Sequence, residues 1–117
     1  MSNATEYADS LAASITADTE NGNPFGLSEG YGDIPEGEPL DALTWLEDAL
    51  DIQYLISNAG EYIAGRVLIA FGGPTAWIDT RTGMLEVSWW SAVERRELPD
   101  SFIEALDDAL EDVHESH

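Results

Sequence analysis

The sequence predicts an α+β fold: a single domain of 117 residues with a four-stranded antiparallel meander sheet, two N-terminal helices and one C-terminal helix. Apolar residues recur at helical spacing near both ends of the chain and alternate with polar residues in the middle. Short Gly- and Pro-containing turns separate the alternating runs, which favours antiparallel pairing. We expect residues 1–39 to form an acidic helix and a mobile Gly- and Pro-rich loop, and residues 40–117 to form a compact core.

The first two helices are predicted before the sheet begins. A first helix is expected over residues 3–17, from Tyr7, Leu11 and Ile15 at four-residue spacing. Residues 18–39 are rich in Gly, Asn, Pro and Glu without periodicity, which is typical of a long loop. Pro39 suits the first position of a second helix, whose apolar face continues to Leu50.

The middle of the chain changes to a two-residue period. Strands are predicted over residues 52–58, 61–71, 76–80 and 84–90. In the second of these strands one face is expected to carry Ile63, Val67, Ile69 and Phe71, and the other to carry Tyr62, Arg66 and Leu68. Gly83 ends the turn before the fourth strand, where a positive φ is commonly needed.

The last helix is expected to begin at Pro99 and to be strongly amphipathic. Its apolar stripe consists of Phe102, Ile103, Leu106, Leu110 and Val113. The remaining surface is covered by acids, namely Glu104, Asp107, Asp108, Glu111, Asp112 and Glu115. We expect all three helices to pack on one face of the sheet.

The net charge is the unusual property of the chain. The sequence has 24 acidic residues, four arginines and no lysine, for a formal net charge of −20. Residues 1–51 carry −12, residues 52–98 carry −1 and residues 99–117 carry −7. Direct binding to nucleic acid or to an anionic membrane is disfavoured, because contact with phosphate needs basic side chains.

No catalytic or metal-binding arrangement is recognisable, so we predict a protein that is not an enzyme and has no cofactor. The chain has no cysteine, and both histidines, His114 and His117, fall in the final turn and tail, where a histidine near a helix C-terminus usually complements the dipole. Asp18, Glu20 and Glu29 fit three positions of a calcium loop, but Asn23 replaces the glycine that the loop requires.

The N-terminus resembles no secretory signal and the longest apolar run is too short to cross a bilayer, so a cytoplasmic location without membrane contact is expected.

The acid pattern predicts a protein partner. An unbalanced row of carboxylates on a helix can reach a charge density comparable to that of DNA. Such a surface can occupy the basic groove of a nuclease or DNA-binding protein, with the acids of the last helix joined by Asp41, Glu47 and Asp48 of the second. The alternative is adaptation to high salt or for solubility.

That alternative uses an aromatic surface for partner binding. Trp89 alternates with Leu85 and Val87 and is expected in the core. Trp90 and Tyr62 are expected on the opposite face, beside Arg66, and these three residue types anchor protein interfaces. The competing interpretation is that the first helix or the loop over residues 18–39 covers this face.

Residues 65–80 (GRVLIAFGGPTAWIDT), followed by Gly83 and residues 87–90 (VSWW), resemble a group of small acidic proteins carried by bacterial phages and plasmids. The shared motif is a strand, a turn and a second strand. Membership would imply a mobile-element origin and an accessory counter-defence role, such as anti-restriction or anti-CRISPR inhibition. The resemblance transfers no functional residues, and the acidic first 40 residues lie outside it.

Overall fold

The computed structural model describes residues 3–27 and 35–116. The elements in chain order are α1 (Asn3–Glu20), α2 (Ala42–Glu47), β1 (Asp51–Ile56), β2 (Tyr62–Ala70), β3 (Thr75–Asp79), β4 (Met84–Trp89), β5 (Ala92–Glu97) and α3 (Asp100–Glu115). The chain is therefore α+β, as predicted. The sheet has strand order β1-β2-β3-β4-β5, and every neighbouring pair is antiparallel.

The prediction of four strands is wrong, because the sheet has a fifth strand, β5. Its residues, Ala-Val-Glu-Arg-Arg-Glu, do not alternate between apolar and polar. Two of its positions on the helix-covered face of the sheet are Glu94 and Arg96, which contact α1 instead of entering the apolar core. Period-two hydrophobicity cannot detect such a strand, although its pairing with β4 spans all six residues.

The N-terminal helices also differ from the prediction. The first helix extends past Ala17 to Glu20. The second is a short helix that begins after Asp41, whose carboxylate accepts a hydrogen bond from the Thr44 amide at 2.8 Å. Pro39 is not its first residue but pairs with Leu27 in an isolated bridge. The connection between the two helices thus covers residues 21–41 instead of 18–39, and residues 28–34 within it lie outside the described residues.

The core lies between the sheet and the three helices. Its largest fully buried side chains are Val67, Ile78, Leu85, Val87, Phe102, Leu106 and Leu110. The last three come from the predicted stripe of α3, while Ile103 and Val113 are half-buried beside them. Ala4 and Ala8 let α1 approach β4 and β5 closely. Phe25 and Trp45 close the core against Phe102, with ring centroids 5.2 and 6.1 Å from it.

The alternation predicted for the second strand fails at both of its ends. The pairing of β2 shifts register around Ile63 and again around Ile69. Each irregularity changes which face the following side chains occupy. Ile63 is consequently half exposed, and Phe71, beyond the strand, is 76% exposed. Tyr62 is turned to the face that α3 covers.

All three helices lie on one face of the sheet, which leaves the other face, here called the outer face, uncovered by any described helix. Within the described part of the chain, no helix has the length and apolarity that crossing a membrane requires.

Candidate interaction surfaces

The acids of α3 form one continuous exposed row. Glu104, Asp108, Glu111 and Glu115 are spaced by four, three and four residues, which places them along one line of the helix. Asp112 lies beside this line, and all five side chains are exposed. We call these five residues the acidic ridge. It lies opposite the buried stripe of Phe102 and Leu106, so it faces solvent along its whole length.

The acidic ridge has no ion pair with any described residue. The salt bridges of the described chain join Arg66 to Asp79, Arg95 to Glu86, and Arg96 to both Asp9 and Glu94. All of these residues belong to the sheet or to α1. Three of the four arginines therefore pair with acids away from α3, and none of the five ridge carboxylates has an ion-pair partner among the described residues.

Local repulsion in the ridge disfavours the helix that carries it. Like charges four residues apart occur at Glu104 and Asp108, at Asp108 and Asp112, and at Glu111 and Glu115. Each such pair destabilises a helix by ~0.2–0.5 kcal/mol. Carboxylates near the C-terminus also oppose the helix dipole. The buried stripe stabilises α3 enough for the helix to form in spite of the repulsion within the ridge.

One residue predicted for this surface belongs to the interior instead. Asp107 Oδ1 accepts hydrogen bonds from the Tyr62 hydroxyl at 2.5 Å and from Thr80 Oγ1 at 2.9 Å. Thr80 Oγ1 in turn accepts from the Gly65 amide at 3.0 Å. Asp107 is half-buried and links α3 to β2 and to the turn after β3. Because Asp107 directly precedes the ridge residue Asp108, the sequence alone does not show this role.

Tyr62 lies in an aromatic cluster under the end of α3. Its ring centroid is 6.0 Å from His114 and 6.4 Å from Tyr54. Burial, followed by the hydrogen bond to Asp107, raises the pKa of the Tyr62 hydroxyl well above its usual range. The Nδ1 atom of His114 is buried without a hydrogen-bond partner among the described residues. His114 thus packs against the sheet, beyond the dipole role predicted for it, while His117 lies outside the described residues.

The predicted acids of α2 have separate roles. Asp41 caps the helix, and its hydrogen bonds with Thr44 lower the pKa of its carboxyl group. Glu47 and Asp48 are exposed at the other end. Because Trp45 packs edge-on against Phe102 in the first turn of α3, these acids lie near the N-terminal part of that helix.

The structure separates the three residues predicted to share an aromatic face. Tyr62 is on the helix-covered face, whereas the Arg66 guanidinium is on the outer face, 4.5 Å from the ring centroid of Trp77. Trp90 is in neither place: it is the first residue of the turn between β4 and β5, has φ +59° and is 93% exposed. The register shift in β2 explains the position of Tyr62, and the turn explains that of Trp90. Whether any of them binds a partner stays a prediction.

The sequence does not predict the concave regions of the surface. A groove of about 340 Å³ lies between α1 and α2, lined by Leu11, Phe25 and Trp45 with Asp18 and Asp48 at its polar positions. A second groove of about 630 Å³ lies between the β2–β3 and β4–β5 turns and has no ionisable lining residue. Within residues 3–27 and 35–116, no three His, Asp or Glu side chains are grouped to hold a metal ion. Glu29 of the calcium-loop pattern is outside these ranges.

Comparisons with protein-family models, with curated proteins and with solved structures found no match to this chain.

Proposed function

We propose that this protein is an acidic, non-enzymatic inhibitor that mimics nucleic acid and occupies the basic groove of a nuclease or DNA-binding protein. The observation that carries the proposal is the acidic ridge of α3, an exposed row of five carboxylates that makes no ion pair with any described residue. A counter-defence role, anti-restriction or anti-CRISPR in type, is the biological context that the phage and plasmid resemblance implies.

The spacing of the ridge supports the comparison with DNA. Glu104 and Glu115 are eleven residues apart, or roughly 16 Å at the rise of an α-helix. Five charges over that length give one per ~3–4 Å, close to the ~3.4 Å per phosphate along one DNA strand. A groove that binds a phosphate backbone would therefore meet a matching charge density on α3.

The charge also favours a protein that is attracted to a basic groove and blocks it, without catalysing a reaction. Exposed carboxylates steer a basic partner and accept hydrogen bonds from its arginines. Glu47 and Asp48 extend the negative surface beside the start of α3. Association of this kind is fast at low salt and slows as salt screens the charges.

The first test identifies the partner class. The immobilised protein is exposed at low salt to a bacterial lysate, and the bound proteins are identified by mass spectrometry. We expect enrichment of basic nucleic-acid-binding proteins, and their release by short duplex DNA, because DNA and the ridge would compete for one groove. Recovery of neutral metabolic enzymes alone, or retention in the presence of excess DNA, would contradict the proposal.

The second test assigns binding to the ridge. We propose a variant with E104Q, D108N, E111Q, D112N and E115Q, which leaves Asp107 intact. The matched control neutralises five exposed acids elsewhere, through E20Q, E36Q, E38Q, E61Q and E97Q, and has the same net charge. The ridge variant should associate with the captured partner more slowly and with a flatter salt dependence. Equal losses in both variants would show that total charge, not the ridge, drives binding.

The second candidate function is a salt- or solubility-adapted interaction domain that binds through the sheet. The observation that favours it is the outer face, which no described helix covers and where Arg66 stacks over Trp77. Arg66→Ala should then abolish partner binding while the ridge variant binds normally. The opposite pattern supports the nucleic-acid mimic.

A further inference from the structure

The two hairpin ends opposite α3 are free of charge. Residues 68–78 and residues 87–93 contain no ionisable side chain, although charged residues make up 24% of the chain. These stretches form the β2–β3 and β4–β5 turns with the strand ends that flank them. We call these two turns and their flanking strand ends the neutral tip. Asp51, at the start of β1, pairs with Leu68 at its border, so the acids of β1 lie beside the tip and not on it.

The sheet pairing brings these two turns together. Thr75 at the start of β3 pairs with Ser88 near the end of β4, and Ser88 pairs with Val93. The turns beyond these pairs therefore lie at the same end of the sheet. By contrast, α3 crosses the other end, where Asp107 contacts Thr80 in the β3–β4 turn. The neutral tip and the acidic ridge face different directions.

The tip exposes large apolar side chains. Trp90 is 93% exposed, Phe71 is 76% exposed and Val93 is 50% exposed. Trp90 also has φ +59°, in a two-residue turn between the paired Trp89 and Ala92. Glycine is the residue favoured at a positive φ, and a bulky side chain there is strained. The Trp90 ring is therefore exposed to solvent at a turn position where glycine would be more favourable than tryptophan.

A protruding ring and a recess occur side by side on this tip. The recess is the 630 Å³ groove, whose lining includes Gly72, Gly73, Thr75 and Ser88, with Trp90 as one wall. A two-fold dimer interface needs a surface that is complementary to itself, in which a feature of one subunit fits a different feature of the other. Trp90 and the adjacent groove meet this requirement.

We propose that the neutral tip is a self-association surface, at which Trp90 of each copy inserts into the groove between the turns of a second copy. The distribution of charge favours this occupant. Two chains of −20 repel each other, and association through the neutral tip brings no ionisable side chain of these two turns into the interface. The proposal does not depend on the function proposed for the ridge.

The size of the tip predicts a weak dimer. Aromatic side chains bury ~150–250 Å² each, so two per copy contribute on the order of 600–1,000 Å² in total. Stable interfaces bury ~1,200–2,000 Å², so we expect association in the micromolar range or weaker. Salt should tighten the dimer by screening the repulsion between copies, whereas it should weaken binding to a basic partner at the ridge.

The test is sedimentation equilibrium of the full chain across a concentration series, at low and at high NaCl. We expect a monomer–dimer equilibrium that strengthens with salt. Trp90→Gly removes the ring and suits the positive φ, so it should raise the dissociation constant at least ~30-fold while leaving the melting temperature equal or higher. Ser88→Glu, which retains Trp90 but places a charge in the groove of each copy, should also abolish the dimer.

Leu43→Gln is the control, because it removes a half-exposed leucine from α2, outside the tip, and should dimerise like the parent chain. A monomer at every concentration and salt would overturn the proposal. So would dimerisation that Trp90→Gly leaves unchanged, or that Leu43→Gln weakens equally. If the dimer instead strengthens at low salt, charged surfaces mediate it and the tip is not the interface.

Discussion

At the scale of single residues, neighbouring acids on α3 have opposite roles. Asp107 accepts two hydrogen bonds from the sheet side, whereas Asp108 faces solvent without a described partner. The two differ only by the ~100° rotation between successive residues of a helix, which decides whether a carboxylate meets Tyr62 or water. The acids of an amphipathic helix therefore cannot be treated as one surface from their spacing alone.

This difference predicts different stabilities for two alanine variants. Asp107→Ala should lower the free energy of unfolding by about 1–3 kcal/mol, because it leaves the Tyr62 hydroxyl buried without its acceptor. Asp108→Ala, which changes helix propensity in the same way, should stay within ~0.5 kcal/mol or increase stability by relieving repulsion. Urea denaturation measures both. Similar losses in the two variants would mean that Asp107 is not a structural link.

Because of Tyr62, the free energy of unfolding should vary with pH in the alkaline range. Burial raises the pKa of its hydroxyl in the folded chain above the ~10 of an unfolded tyrosine. The folded state then retains a proton that the unfolded state loses, so the stabilisation is complete below pH ~10 and declines as pH rises above it. Urea denaturation at increasing alkaline pH should show this decline.

Tyr62→Phe is the corresponding control for the pH effect. It should be less stable than the parent at neutral pH but should lose less stability above pH ~10. A remaining slope is expected from Tyr54, because burial also raises the pKa of that hydroxyl. An unchanged alkaline slope in Tyr62→Phe would contradict the assignment of the effect to this tyrosine.

At the scale of elements, β5 depends on α1. Thr5 donates a hydrogen bond to Glu94 at 2.5 Å, and Asp9 accepts one from Arg96 at 2.7 Å. These contacts explain how a strand with charged residues on its inner face can lie at the edge of the sheet. A strand of this kind is recognisable only with its partner helix in place, since its stabilising contacts are 87 and 89 residues away in sequence.

The packing of α3 on β2 depends on a glycine. A Cβ atom at Gly65 would lie 2.8 Å from Leu110 Cδ1 and 3.4 Å from the Gln53 carbonyl oxygen. Leu110 is fully buried, so it has little room to move. Gly65→Ala should therefore cost about 1–3 kcal/mol of stability, as overpacked cores do.

A double-mutant cycle tests the origin of this cost. Leu110→Val removes the crowded end of the side chain and should itself destabilise by creating a small cavity. Combined with Gly65→Ala, it should cost less than the sum of the two single changes, because the clash is gone. Urea denaturation of the four proteins measures the coupling, and strict additivity would show that Leu110 does not determine the effect.

At the scale of the whole molecule, the charges are segregated. The ion pairs of the described residues lie on the sheet and α1, and the unpaired acidic ridge lies on α3. The two turns of the neutral tip carry no charged side chain. Repulsion within a chain of −20 opposes folding and is reduced by salt.

Salt should consequently stabilise this protein. Raising NaCl from ~50 mM to ~200 mM, a range over which screening strengthens, should raise the melting temperature. The gain should be smaller in the variant that neutralises the ridge, since part of the repulsion is already removed. Circular dichroism on heating measures it. A melting temperature that is independent of salt would show that the acids are balanced locally.

The sequence by itself determined the fold class, the bounds of most strands and the amphipathic α3, because these depend on hydrophobic periods within short segments. It also determined the net charge and the residue types that form the acidic ridge. Ranges such as Met84–Trp89 differ from the prediction by only one residue.

Only the tertiary structure decided which acids are free and which aromatics are exposed. Asp107 became internal through contacts with Tyr62 and Thr80, which are 45 and 27 residues distant in sequence. Tyr62 lies on the face opposite to the predicted one because of a register shift in β2, and Trp90 lies in a turn instead of in the sheet. Such outcomes arise from pairing and packing between distant segments, and periodicity within a segment carries no information about them.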